Sequence, residues 1–203
     1  TTDREQRAFD WARTQANVQL ESVQPVVAAG LADFVDAPYE VRPGLRLTPT
    51  PETARALLLG FPSSEQAGAC VGAIIAAGII PGGMEMMDRP AIHAAEDFVH
   101  AGYPRDVEAL LIVEVEGSDA EIDHQLELIM EIARRHNPVE LRQSKSAEES
   151  AAIWLGRKSA FGAMGQINDY MCLDGTIPVS ALPLVLRRIE EMSKEYGLEV
   201  GNV

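Results

Sequence analysis

Cysteine is scarce: there are two in 203 residues, Cys70 and Cys172, in unrelated contexts. No CxxC pair or Cys/His cluster occurs, so neither a structural zinc site nor a disulfide framework is expected, and a reducing cytoplasm suits the chain. Positive charge is also short. Seventeen Lys and Arg stand against thirty-one Asp and Glu, a formal net charge of −14. That balance argues against a nucleic-acid or anionic-membrane partner, since both need a cationic surface. Long apolar runs are missing too. The stretch from Ala67 to Ile80 is broken by Gly68, Gly72 and Gly78, and a bilayer span takes about 20 apolar residues. The N-terminus carries charge from Asp3 onward and does not read as a secretory signal. No phosphate-cradling glycine loop is present: Gly68-Ala-Cys-Val-Gly72 sits inside a helical pattern, where small residues permit close packing.

What is present is a globular composition, 46% hydrophobic and 24% charged, in a chain of one-domain length. Residues 1–43 read as a helical segment and linker, with Phe9, Ala12 and Ala16 at helix spacing, Pro25 as a break, and turn residues after Gly30. Leu45-Arg-Leu-Thr48 could be an edge strand. From Glu52 strands and helices alternate. Strands are predicted at Ala54–Phe61, Ile79–Met86, Val107–Val115, Val139–Gln143, Tyr170–Leu173 and, begun but cut off, Leu198–Val203. Capping boxes at Ser63/Gln66, Ser118/Glu121 and Ser146/Glu149 open three helices, and Ser180 is read as the cap of the last. Inward faces are predicted for Ile92, Ala95 and Phe98, for Ile122, Leu126, Ile129 and Ala133, and for Leu182, Val185, Leu186, Ile189 and Tyr196. Short strands with charges predict an α+β fold: a ferredoxin-like two-layer sandwich, an antiparallel sheet with helices on one face.

Chemistry-bearing patterns are few. His93, His100, His124 and His136 lack metal-pair spacing and read as exposed helix residues. Glu114 and Glu116 share one strand face and read as a polar sheet surface, with acid/base work as the sharper alternative. Arg157 follows Trp154 by three positions, so the two are neighbours on one helix face. Beside Lys158 it is either an exposed basic pair near a helix end or an anion receptor, because guanidinium matches carboxylate bidentately.

Six stretches carry a resemblance. They are Leu45-Arg-Leu-Thr-Pro-Thr-Pro51, Gly78-Ile-Ile-Pro-Gly-Gly-Met-Glu-Met-Met-Asp88, Ala94-Ala-Glu-Asp-Phe98 with His100-Ala-Gly-Tyr-Pro104, Trp154-Leu-Gly-Arg-Lys-Ser-Ala-Phe161, Asp174-Gly-Thr-Ile-Pro178 and Val200-Gly-Asn-Val203. In this order and spacing the chain resembles the FAD-linked oxidase C-terminal (cap) domain family, in its glycolate-oxidase branch, over residues 44–203. The resemblance implies the substrate domain of an FAD-dependent oxidase or dehydrogenase of 2-hydroxy acids such as glycolate or D-lactate. It implies that Arg157 pairs with the substrate carboxylate and that Asp174 lies near the pocket wall. Cys172 occupies a position where some relatives place a substrate-binding lysine. Glu85 and Asp88 fall in the Met-Glu-Met-Met-Asp motif and read as structural. The family's FAD domain and metal-ligand histidines are not in the sequence, so the chain reads as truncated, without catalytic or metal residues, with no tightly bound FAD and no turnover of its own. Other glycolate oxidase subunits are conceivable partners. The competing reading is a non-catalytic ferredoxin-like module, dimerising through the sheet edge left at Leu198–Val203.

Overall fold

In the computed structural model the described residues are 51–203; the readings made for residues 1–43 and for Leu45–Thr48 lie outside them. In chain order the elements are β1 (Thr53–Phe61), α1 (Ser64–Ala76), β2 (Gly83–Asp88), α2 (Arg89–Val99), β3 (Ala109–Gly117), α3 (Asp119–Arg134), β4 (Glu140–Gln143), α4 (Ala147–Ile167) and α5 (Leu182–Tyr196), with a 3-10 turn at Val179–Ala181. The sheet runs β2-β3-β1-β4 and every neighbouring pair is antiparallel. That order, with α1 after β1 and α3 after β3, is the ferredoxin-like split βαβ arrangement. The α+β class and the antiparallel sheet are therefore as expected.

Both faces of the sheet are covered, however, where helices were expected on one. Side chains alternate along a strand. Leu57, Leu59 and Phe61 of β1 join Leu111, Val113 and Val115 of β3 beneath α1 and α3, against Ile74, Ile122, Leu126 and Ile129. Ala56 and Leu58 join Leu110 and Ile112 on the other side, against Ala91, Ile92 and Ala95 of α2 and Ile153 and Ala160 of α4. Two-sided burial needs strands that are apolar at every position. β1 meets that need from Ala56 to Phe61 and β3 from Ala109 to Val113; Glu114 and Glu116, the charges that suggested an open face, come only towards the end of the central strand β3, where the first is half-buried and the second exposed.

The helix signals operate largely as read. Ser63 accepts the Gln66 N–H at 3.1 Å and Ser146 that of Glu149 at 3.2 Å. Glu121 accepts from the Ser118 N–H at 2.9 Å and from its hydroxyl at 2.6 Å. Gly68 lets α5 approach α1: a Cβ there would lie 3.3 Å from Leu186 Cδ1. Burial pushes the Cys70 thiol up to about 12, so it packs as a neutral, free side chain.

Several expectations fail for want of a partner. β2 starts at Gly83, past Pro81, which has no N–H to give the ladder. Tyr170–Leu173 forms no strand: no sheet edge receives it, and Met171 and Leu173 are 83% and 85% exposed. Phe98 points to water, because α2 buries Ala91, Ile92, Ala94 and Ala95 instead. Ser180 lies within the 3-10 turn and caps nothing, and Tyr196 is exposed. Leu198–Val203 is not a strand either, which removes the edge expected to mediate dimerisation. It docks by Asn202, whose carbonyl accepts the Asp88 N–H at 3.0 Å. None of the described helices is long and apolar enough to cross a membrane.

Candidate functional site

The second face of the sheet, under α4, gathers the resemblance motifs into one network. Trp154 and Arg157 face β2 and β3 from adjacent turns of α4. Gly83 has no side chain, so the Trp154 ring lies over it; a Cβ there would be 3.1 Å from Cζ2 and Cη2. The indole N–H then reaches Glu114, donating to Oε2 at 2.6 Å. Glu114 is thus an anchor for Trp154 and not one of a reactive carboxylate pair. Its neighbour Glu116 is exposed and lies against Gly82.

Arg157 is the cation of the site. Its Nη2 donates to Glu85 Oε2 at 3.0 Å, and its guanidinium Cζ is 6.0 Å from the Phe161 ring centroid. Its side chain is 17% exposed while that of Glu85 is 43% exposed. Its Nε is buried with no hydrogen-bond partner, which leaves donor capacity unused in a sheltered place. The helix beneath is fixed by Tyr103, which is 4% exposed and whose hydroxyl donates to the Ile153 carbonyl. Burial pushes the Tyr103 phenol up, so it remains a donor.

Asp88 ties β2, α2 and the last residues together. Its Oδ1 accepts the Ala91 N–H at 3.4 Å as the cap of α2, and Oδ2 accepts from the Asn202 N–H at 2.8 Å and Nδ2 at 2.7 Å. The structural reading of Asp88 fits this geometry. Burial raises its carboxyl above the ordinary aspartate range, against those hydrogen bonds. The native state therefore holds this proton more tightly than the unfolded chain, and stability falls as pH rises from about 4 towards the raised value. Urea denaturation of wild type and Asp88→Asn at pH 4 and pH 7 checks this. The gap in stability should shift towards wild type at the lower pH; a constant gap contradicts it.

Of the residues assigned to the substrate from the sequence, only Arg157 is sheltered. Lys158 beside it is exposed. Cys172 and Asp174 lie on the irregular, exposed stretch after α4 and make no hydrogen bond or ion pair to it. Glu85 is brought to Arg157, a pairing foreshadowed only by its position two residues after Gly83, on the same strand face. Asn202 had no signal beyond its place in Val200-Gly-Asn-Val203. Among the described residues no group of three or more His, Cys, Asp or Glu is placed to hold a metal ion.

The family described as FAD linked oxidases, C-terminal domain, matches residues 50–203. The chain belongs to that family. Within the FAD-linked oxidases it is 48% identical over 160 residues to glycolate oxidase subunit GlcD of Escherichia coli (strain K12), covering 78% of this chain and 32% of that one. It is 29% identical over 157 residues to glycolate oxidase subunit GlcD of Bacillus subtilis (strain 168), covering 77% and 33%. It is 26% identical over 145 residues to the probable mitochondrial D-lactate dehydrogenase of Danio rerio, covering 70% and 29%. The chain thus spans about a third of the length of these relatives. A solved alkyldihydroxyacetonephosphate synthase shares the fold at 13% identity with a TM-score of 0.50, over 72% of this chain and 32% of that one.

FAD is the cofactor of the family's name, and a dinucleotide is gripped by bare N–H groups at a helix N-terminus or glycine loop. Four of the five helix starts among the described residues do not fit that role, α5 alone opening without a side-chain cap. The first turns of α1, α2 and α4 are taken by the side chains of Ser63, Asp88 and Ser146. Ser118 and Glu121 close on each other at the start of α3.

Proposed function

We propose that residues 44–203 are the substrate-holding part of an FAD-dependent oxidoreductase of small 2-hydroxy acids, of the glycolate or D-lactate kind, with Arg157 as receptor for the substrate carboxylate. The observation that carries this reading is the sheltered guanidinium with an unpartnered buried Nε, in a chain 48% identical to a glycolate oxidase subunit. A guanidinium stays charged at any working pH and offers a carboxylate two parallel N–H donors, which gives orientation as well as affinity. Cys172 and Asp174, on the exposed stretch after α4, are assigned to the rim of the substrate pocket. The stretch can supply them only if the remainder of the enzyme folds it inward.

In this reading the chain alone holds no FAD tightly and does not turn over; flavin grip and redox chemistry come from the remainder of the enzyme. Other glycolate oxidase subunits are its natural partners, and two free cysteines favour the cytoplasm. The test is calorimetric titration of the 203-residue chain and of Arg157→Ala with glycolate. Charge-assisted hydrogen bonds are worth roughly 1.5–3 kcal/mol, so affinity should fall about 10- to 100-fold in the variant. Equal affinity in the two proteins would remove Arg157 from the reading.

A further inference from the structure

We propose that Glu85 is a resident counter-ion, holding the seat at Arg157 that a substrate carboxylate must take; this rests on the reading of Arg157 as the carboxylate receptor. The two partners differ in freedom. Arg157 is 17% exposed and Glu85 is 43% exposed, so the cation is set in place while the carboxylate can swing into water. The only ion-pair contact between them is single, Nη2 to Oε2 at 3.0 Å, rather than the bidentate fork this geometry class permits. The other nearby carboxylate of this face is committed: Glu114 accepts the Trp154 N–H at 2.6 Å.

The charges then decide the behaviour. A buried arginine without a partner is costly, and Glu85 neutralises it while no substrate is present. A second carboxylate arriving at the same guanidinium would meet Glu85 at close range, with Glu114 on the adjoining strand, and two carboxylates cannot share one cation without repulsion. Glu85 must therefore turn outward, and the bound acid is favoured only by the difference between two carboxylate contacts. Affinity for a carboxylate is set below what Arg157 alone would give. An uncharged analogue, which cannot displace Glu85, is excluded from the seat.

The experiment titrates the full 203-residue chain, Glu85→Gln, Glu85→Asp and Arg157→Ala with glycolate and with the neutral analogue glycolamide. Calorimetry is combined with the 15N resonance of Arg157 Nε, which reports the seat directly. Removing the competing charge is expected to tighten glycolate binding about tenfold in Glu85→Gln, after allowance for the solvent around a half-exposed carboxylate, and to admit glycolamide, excluded from wild type, only weakly. Glu85→Asp, with a shorter reach, should tighten it to a lesser degree, and it serves if thermal unfolding shows Glu85→Gln to be misfolded. Unchanged or weaker glycolate binding in both Glu85 variants, with binding still weakened in Arg157→Ala, overturns the counter-ion role and leaves the receptor standing. Glycolate binding of wild-type affinity in Arg157→Ala, or none in any of the proteins, overturns the receptor reading and this proposal with it.

Discussion

Leu58→Asp is expected to leave residues 51–203 without a cooperative thermal transition. Leu58 lies in the middle of β1, is fully buried, and faces Ile92 and Ala95 of α2 and Ile153 of α4 across the second sheet face. Truncating such a leucine to alanine costs about 2–5 kcal/mol. A carboxylate in the same place adds the penalty of a buried charge with no partner, which is several kcal/mol more. Together these reach the whole stability of an ordinary domain, about 5–15 kcal/mol. On a two-layer sandwich with helices on one face, the same position would meet water and tolerate aspartate. Circular dichroism on heating separates the cases, with Glu116→Gln, an exposed strand position, as a control expected within about 0.5 kcal/mol of wild type. A Leu58→Asp protein melting near the wild-type temperature would mean that α2 and α4 do not seal this face.

That second helical layer was written in the sequence more plainly than the two-layer expectation allowed. Ala56-Leu-Leu-Leu-Gly-Phe61 has no polar residue at either parity, which a strand open to solvent on one side would show. The charges of Glu114 and Glu116 pulled the reading the other way, yet they come at the end of β3, past the apolar run Ala109–Val113, and Glu114 is taken up by the Trp154 N–H. Local signals survived because they act locally: Ser63, Ser118 and Ser146 open their helices. Tyr170–Leu173 and Leu198–Val203 have strand-like composition but meet no strand to pair with, and composition alone does not reveal a missing partner.

The site followed the same division. Arg157 was legible from its spacing to Trp154 and from the resemblance, whereas Glu85 joined it only through the ladder that sets β2 beside β3. The glycines of Pro81-Gly-Gly83 have no local meaning until Glu116 and Trp154 lie against them.

Gly156→Ala tests how firmly α4 holds Arg157, and it is expected to reverse an ordinary rule. In an exposed helix interior, alanine in place of glycine is favourable by roughly 1 kcal/mol. Here the new Cβ would stand 2.5 Å from Tyr103 Cζ and 2.6 Å from Cε2. The ring has little room to retreat: Tyr103 is 4% exposed, its hydroxyl donates to the Ile153 carbonyl, and its N–H donates to Glu96 Oε2 at 2.9 Å. Overpacking and a lost buried hydrogen bond together cost about 2–4 kcal/mol, which for a domain of this size lowers Tm by roughly 5–15 °C. Adding Tyr103→Phe removes the atom nearest the new Cβ, the hydroxyl oxygen, but keeps the ring carbons at 2.5 and 2.6 Å and gives up the bond to the Ile153 carbonyl, so it is not expected to restore stability fully. Adding Tyr103→Ala is expected to recover part of the loss that Gly156→Ala causes, by opening the space, although the cavity has its own cost. Urea denaturation of the single and double variants reads this as a coupling between positions 103 and 156. Lifting α4 off Tyr103 also moves the next residue, Arg157, away from Glu85, so glycolate affinity should fall in Gly156→Ala even at temperatures where it remains folded. A Gly156→Ala protein that is more stable than wild type would show instead that Tyr103 yields to α4, and that the position of Arg157 is set by its own contacts rather than by the ring beneath the helix.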